Sequence, residues 1–542
     1  MNNSESLKII ILIFAVIPLI GAVFLFLTKI LKGKKFGYIF EFSLLIQFIT
    51  GCFIIWKFDG IPMKIQLTSF KIIAPFFEIS KIRIIFLTLY LLMIFFVWIS
   101  RKRKITFDTI NPTLIFMFFL SGCSGLVFSS DMFTYYVYYE LMILCSYVLI
   151  TGDEKYYAAL KYMIFNSVSS MFFLGGIGIH YYSQGNLIIS GETIKDTQAI
   201  TLFLIAFLIK GGFFPASSWV PTCHSGARNI FSGCLSSFAI STGVLGLYRF
   251  VIAPSEINGF LIYPEIIKYV SVITIILSSL FLFFEHNLKK AVTHSTVYVM
   301  GVCGMLLGGG EKELVFIYLI IHCFYKMFMF MLLYDIDYSD KNDNLCIKTN
   351  KSGKILFILA VLFAGGFFPS FTYFAKMAFS QYFPGIKIIW YISMFFIFAG
   401  FFKFNFIVEK GRPTQKKKIF FMSTALSIPI IGIILKKLLL LKLLIVKIGF
   451  FIKLGGIKGF LSKAIIALLT YFNSKLFDIH QYFLIDVIVL IAALTLSKWL
   501  ISLDKRRIEK LIANFSEDLN LELFAILLLS AICINIVYFQ NI

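Results

Sequence analysis

The chain has 542 residues, 59% of them hydrophobic and 14% charged, with a mean hydropathy of +0.90. That excludes an ordinary soluble domain, whose outer surface must be polar, and suits a chain whose surface meets lipid. The formal charge of +22 does not point to nucleic acid, because the basic residues sit in short loops between apolar runs, as membrane loops do.

Apolar runs long enough to cross about 30 Å of hydrocarbon recur along the whole chain. In order they cover 7–28, 37–56, 82–100, 111–129, 132–151, 158–183, 199–219, 228–252, 267–286, 291–308, 313–335, 353–382, 388–408 and 419–436. Two more, at 483–502 and 521–540, follow an irregular stretch. Only helices and closed barrels satisfy their backbone in lipid, and the alternating segments of a barrel are absent. The expected fold is an all-α membrane protein of about fourteen core transmembrane helices with a C-terminal extension. The first run has no small-residue cleavage site behind it and reads as a retained helix.

With the N-terminus outside, the inner loops hold Lys29, Lys32, Lys34 and Lys35, then Arg101, Lys102, Arg103 and Lys104, then Lys289 and Lys290. Arg412 with Lys416–Lys418, and Lys505 with Arg506 and Arg507, complete that set. The outer loops after 183, 252, 308 and 382 are short and nearly uncharged. This alternation predicts a multi-pass protein of the cytoplasmic membrane with its N-terminus outside. Residues 436–475 break the pattern, since they carry eight lysines from Lys436 to Lys475 yet fall outside. A lateral helix on the membrane surface, broken at Gly455–Gly456, accounts for them; a topology shifted by one span is the alternative. The cysteines are scattered and form no CxxC, so no metal or haem site is expected.

The pentapeptide Gly-Gly-Phe-Phe-Pro occurs twice, at Gly211–Pro215 and Gly365–Pro369, each time inside an apolar run. Lys210 precedes the first copy and Lys376 follows the second. Paired Gly/Pro interruptions in two halves of a membrane chain point to a transport site, because the freed backbone must line a cavity or meet a partner. The expected organisation is N-terminal helices over 1–110, a first repeat over 111–252, a second over 267–408 and C-terminal helices over 419–542.

A charge at the bilayer centre costs about 2.5–3.5 kcal/mol on insertion scales and usually has a task. Five such candidates stand out: Glu140, Lys210, His322, Lys326 and Lys376. His322 and Lys326 are four apart and so share a helical face. A carboxylate near a desolvated lysine governs whether that lysine holds its proton, and histidine relays protons between more distant groups. This chemistry needs no cofactor, and no nucleotide, flavin or metal signature is present.

These residues fall in a pattern. Tyr-Glu-Leu-Met at 139–142, Leu-Ile-Lys-Gly-Gly-Phe-Phe-Pro at 208–215 followed by Trp219, Pro221 and His224, Asn-Leu-Lys-Lys-Ala-Val-Thr-His-Ser-Thr at 287–296, Ile-His-Cys-Phe-Tyr-Lys at 321–326, and Gly366 to Lys376 occur in that order. The chain, over roughly residues 80–410, resembles the antiporter-like membrane subunits of complex I-type NADH–quinone oxidoreductases, Mrp-type sodium/proton antiporters and membrane-bound hydrogenases. Ala-Leu-Lys-Tyr at 159–162 with Ser167–Phe173 leans toward the D-type branch of the Mrp subunits. The resemblance implies two inverted five-helix repeats, each with a broken helix. It implies that Glu140 modulates Lys210, and that His322, Lys326 and Lys376 carry protons or sodium onward. It also implies partner membrane subunits, and no redox chemistry of the chain's own. Three departures stand against it. Ser241 occupies the position of a second lysine, Ala227-Arg228-Asn229-Ile230 replaces Ala-Pro-Thr-Pro, and Asn287 replaces an acid. Ser241 leaves two alternatives open: a water held there with His322 taking part of the relay, or a non-conducting structural subunit. A stand-alone secondary transporter is the third possibility.

Overall fold

The structure, a computed structural model, describes residues 3–30, 36–58, 60, 62–66, 76–100, 110–151, 156–190, 192–333, 337–338, 346–349, 351–367, 386–408 and 487–495. The expected spans at 419–436 and 521–540 and the basic segment 436–475 lie outside the described residues, as does Lys376.

The helices are α1 (Asn3–Ile30), α2 (Phe36–Lys57), α3 (Lys81–Ser100), α4 (Ile110–Phe128), α5 (Met132–Thr151), α6 (Tyr156–Gln184), α7 (Thr197–Lys210) and α8 (Trp219–Gly226). They continue with α9 (Asn229–Asn258), α10 (Ile262–Phe284), α11 (Leu288–Gly308), α12 (Lys312–Leu332), α13 (Lys351–Gly365) and α14 (Ile386–Phe402). Nine helices among the described residues are long and apolar enough to cross a membrane. Four shorter apolar helices lie within α4, α7, α13 and α14.

Hydropathy does not separate centre from rim, but burial does. The most apolar windows of α9 and α11 are wholly buried, whereas those of α1 and α2 are 44% and 33% buried. Both inner helices are rich in small residues, such as Ser236, Ser237, Gly243 and Gly246 in α9 and Ser295, Thr296, Gly301 and Gly304 in α11. Small residues let helix backbones approach closely where lipid offers no hydrophobic drive. Ser236 and Thr296 hydroxyls meet at 2.5 Å across the two helices' faces. Around this centre α6 packs on α7, α10 on α11, and α12 on both α3 and α9.

Three elements differ from the sequence expectation. The run at 228–252 continues to Asn258, where Gly259 stops the helix at φ 77°. The run at 388–408 ends as a helix at Phe402, and residues Asn405–Val408 form a strand instead. That strand, β5, runs parallel to β4 (Cys346–Thr349), which in turn pairs antiparallel with β3 (Asp337–Tyr338). An antiparallel hairpin of β1 (Met63–Gln66) and β2 (Phe76–Ile79) fills the stretch left unassigned between the second and third runs. Its period-two alternation, Met-Lys-Ile-Gln against Phe-Phe-Glu-Ile, suits half-buried strands.

Candidate functional site

The first cluster forms where α7 stops. Gly212, at φ 67°, takes the left-handed turn that glycine adopts without strain. Its N–H bonds to the Ile209 carbonyl at 3.0 Å, and the Phe213 N–H bonds back to the Leu208 carbonyl at 3.0 Å. Gly366, at φ 74°, repeats this in the second pentapeptide: its N–H reaches the Phe363 carbonyl at 3.1 Å, and the Phe367 N–H reaches Leu362 at 2.9 Å. The two copies thus stop their helices with the same bonds. At the first stop, Trp219 Nε1 also donates to the Ile209 carbonyl at 3.1 Å, and Phe214 N–H donates to Thr274 Oγ1 at 2.9 Å. Gly243 of α9 lies directly against the stop: a Cβ there would stand 2.4 Å from the Gly211 nitrogen.

Lys210, the last residue of α7, is 1% exposed. Its Nζ donates to Asn166 Oδ1 at 2.8 Å and sits 5.1 Å and 5.7 Å from the ring centres of Tyr139 and Tyr162. Two aromatic faces and one amide oxygen thus replace the water of an exposed ammonium. Asn166 is held in turn by its Nδ2, which donates to the Tyr162 carbonyl at 2.8 Å. Ser169 links α5 to α7, meeting Tyr139 OH at 2.7 Å and donating to the Ala206 carbonyl at 2.8 Å.

Glu140 is half-buried on α5 and accepts a hydrogen bond from Ser170, whose Oγ lies 3.3 Å from Tyr136 OH. Glu140 and Lys210 act on one another's charge, but Lys210 donates to Asn166 and Glu140 accepts from Ser170, both on α6. The expected acid–lysine pair is therefore a pair at one remove, with Asn166 bonded to Lys210 and Ser170 to Glu140.

The second cluster lies between α11 and α12. Lys326 is fully buried, and its Nζ donates to the Val292 carbonyl at 2.6 Å and to Ser295 Oγ at 2.5 Å. His322, one turn earlier, is also fully buried, and neither ring nitrogen has a hydrogen-bond partner among the described residues. Its ring meets Tyr325 edge-on at 5.4 Å, and the hydroxyls of Tyr325 and Tyr318 are likewise buried without a partner among the described residues. Buried polar atoms of this kind are where ordered water sits in protein interiors.

His224 of α8 joins the clusters. It is 1% exposed, its Nδ1 has no partner among the described residues, and its ring packs edge-on against Trp219 at 5.9 Å. Lys210 and Lys326 both act on its charge, and His224 acts on His322. Ser241 does not bridge the gap, because its hydroxyl donates to the Ser237 carbonyl of its own helix at 2.6 Å. π-helical turns at Leu235–Ala239 and Leu247–Ile252 flank that position, and such turns are frequent at functional sites.

Glu140 and Lys210 thus share the cluster at the first helix stop, His322 and Lys326 share the one between α11 and α12, and Lys376 lies outside the described residues. Asn166, Ser169, Ser170 and Ser295 lie around the charged groups; Ser169, Ser170 and Ser295 fall inside motifs quoted from the sequence, but none of the four was singled out as a site residue. His224 carried a signal, since it follows Trp219 and Pro221 directly after the first stop.

Comparison with known proteins places the chain in a family. The family described as "NADH:quinone oxidoreductase/Mrp antiporter, TM" matches residues 129–403, about half of the chain. The D subunit of the Na(+)/H(+) antiporter of Bacillus subtilis (strain 168) is 29% identical over 197 residues, which are 34% of this chain and 40% of that protein. The M subunit of the NADH-quinone oxidoreductase of Rickettsia conorii (strain ATCC VR-613 / Malish 7) is 26% identical over 317 residues, 54% of this chain and 64% of that protein. The chain thus spans less than two thirds of either relative. A chain of the membrane-bound sulfane sulfur reductase, an archaeal respiratory membrane complex, superposes with a TM-score of 0.69 at 16% identity, over 79% of this chain and 95% of that one. A chain of the Mrp complex from Dietzia sp. DQ12-45-1b gives 0.62 at 17% identity, over 77% and 83%. These likenesses show a shared fold. The chain is a multi-pass membrane protein and belongs to the NADH:quinone oxidoreductase/Mrp antiporter transmembrane family.

Proposed function

We propose that the chain is an ion-translocating subunit of a larger membrane complex, moving protons, or sodium against protons, across the cytoplasmic membrane. The observation that carries this reading is Lys210, buried at a helix stop with Asn166 as its hydrogen-bond acceptor and Glu140 within reach of its charge. A proton shifts between Glu140 and Lys210 as their separation changes. His224, with the unpartnered polar atoms of His322, Tyr318 and Tyr325, supports onward passage to Lys326. The route therefore bypasses Ser241. The matching stops at Gly212 and Gly366 support two repeats around one axis, with Lys376 as the terminal group of the second. The relatives named above are subunits by their names, which supports partner membrane subunits of an Mrp, complex I or hydrogenase-like kind.

The test is ion movement by the assembled complex in vesicles. Lys210→Ala is expected to lower it at least tenfold, and Glu140→Gln to lower it severalfold. Unchanged pumping in both variants overturns the reading. A non-conducting structural subunit is the second reading, favoured by the back-bonded Ser241 hydroxyl. Under it, both variants leave pumping by the complex intact, and so does Ser241→Lys.

A further inference from the structure

A third group of buried charges gathers at the α10–α11 turn, and the relay above makes no use of it. Glu285 follows the last residue of α10, His294 lies in the second turn of α11, and Lys403 follows the last residue of α14. Glu285 Oε2 stands 3.7 Å from His294 Nε2, with side-chain exposures of 18% and 10%. Glu285 Oε1 accepts the Asn287 N–H at 2.9 Å. Lys403, 3% exposed, donates to the Phe283 carbonyl at 2.7 Å and lies within reach of the Glu285 charge. Lys290 acts on Glu285 from α11, while Lys289 turns away to the Ala227 carbonyl. The Phe281 ring, 5.9 Å from the imidazole, covers His294 from α10.

The turn also answers one departure noted in the sequence. Asn287 still caps α11, accepting the N–H groups of Lys289 and Lys290, and the acid it lacks is supplied two residues earlier by Glu285. Burial opposes the charge on Glu285, but His294, the Asn287 N–H and Lys290 outweigh it and draw the carboxyl down to about 2. Burial draws the Lys403 amine down to about 7, against the pull of Glu285. A lysine that changes charge near neutral pH therefore sits beside a carboxylate that stays charged.

The position of this group connects it to the relay. The two groups that hold Lys326, the Val292 carbonyl and Ser295 Oγ, flank His294 on α11. At the other end, Glu285 and Lys290 are only partly buried, which opens the group toward the α10–α11 turn.

We propose that Glu285, His294 and Lys403 form a second proton-exchange station, passing protons between Lys326 and the water at the α10–α11 turn. This rests on the reading of Lys326 as a relay residue. An N–H bond of the Lys326 ammonium breaks and one forms on the His294 imidazole, the proton crossing between them by way of water, while the Ser295 hydroxyl stays bonded to the Val292 carbonyl at 2.8 Å. Glu285 holds the imidazolium. Lys403, alternately ammonium and amine, competes with His294 for the same carboxylate, and the loser gives its proton to water.

Two variants test this in the full chain, purified with its partner subunits and reconstituted in vesicles with a pH-sensitive dye. Lys403→Arg keeps the charge and a donor for the Phe283 carbonyl, but arginine does not release a proton near neutral pH. His294→Gln keeps a polar group facing Glu285 and loses the proton site. Each is expected to slow proton movement at least tenfold, and Lys403→Arg to flatten the pH dependence of the rate around pH 7. A purely structural ion pair tolerates both changes, so a wild-type rate and pH profile in either assembled variant overturns the station. Lys210→Ala, measured alongside, separates the two ideas. If it stops proton movement while the turn variants do not, only the station falls; if it too is silent, the relay reading falls first.

Discussion

Asn166 is the residue on which the first cluster depends most. Its amide oxygen is the hydrogen-bond acceptor that Lys210 finds among the described residues, and its own amide is anchored to Tyr162. A hydrogen bond to a charged group contributes about 1.5–3 kcal/mol. Asn166→Leu is therefore expected to destabilise the protein by an amount in that range, read as a lower melting temperature in detergent, and to slow ion movement. Asn166→Asp moves a carboxylate next to the ammonium and is expected to hold the proton on Lys210, slowing transport without loss of stability. The charged residues themselves were legible in the sequence, because a charge inside an apolar run is costly wherever it occurs. Asn166, Ser169 and Ser170 were not, since an uncharged polar residue on a membrane helix is common and its partner is set by packing.

Among elements, the stop between α7 and α8 and the helix laid against it form one unit. Gly243→Ala would place a methyl group 2.4 Å from the Gly211 nitrogen, so backbone must move, at a cost of about 1–3 kcal/mol for overpacking. Gly178 of α6 has nothing within 4 Å of its missing Cβ, and Gly178→Ala is expected to be neutral or stabilising by up to about 1 kcal/mol. Melting temperatures of the two variants in the same detergent compare them directly, and equal values would remove Gly243 from this role. The stop itself was readable as a repeated pentapeptide, and its repeated turn geometry follows from glycine at the same place in both copies. The π-helical turns of α9 were not readable, for they arise where two helices crowd the chain and leave no local mark. The β1–β2 hairpin was missed for a related reason: its strands are four residues each, too short to stand out beside runs of twenty.

For the whole molecule, pH acts through the same turn that closes the second half. Glu285 has a carboxyl at about 2 in the folded chain, against about 4.3 in an unfolded one. A lowered acid contributes stability that is present above the unfolded value and lost as pH falls through the folded one. Lys403 works in the opposite sense. Its amine, at about 7 in the folded chain against about 10.4 unfolded, destabilises the fold below pH 7, and that cost is relieved as pH rises toward the unfolded value. Melting temperature is expected to rise with pH in two windows, about 2–4 and about 7–10. Glu285→Gln should abolish the lower step and Lys403→Met the upper, and a curve that is flat in both windows contradicts the assignment. The all-helical, multi-pass character of the chain was legible from hydropathy, since lipid demands long apolar runs. Which helices lie at the centre was not. α9 and α11 are no more apolar than α1, and only their small residues hinted at close packing.

The carbonyl of Ile209 takes two donors, the Gly212 N–H and the indole of Trp219. Should α8 swing away from α7, the indole leaves and the glycine N–H stays, so no backbone oxygen is stranded in the membrane. The two half-helices are thus joined as a knee with its ligament on one side: the bend is permanent, and the indole bond that opposes its flexing is worth about 1 kcal/mol. His224 rides on the lower limb. A small angular swing there changes its distance from Lys210 and from Lys326 together.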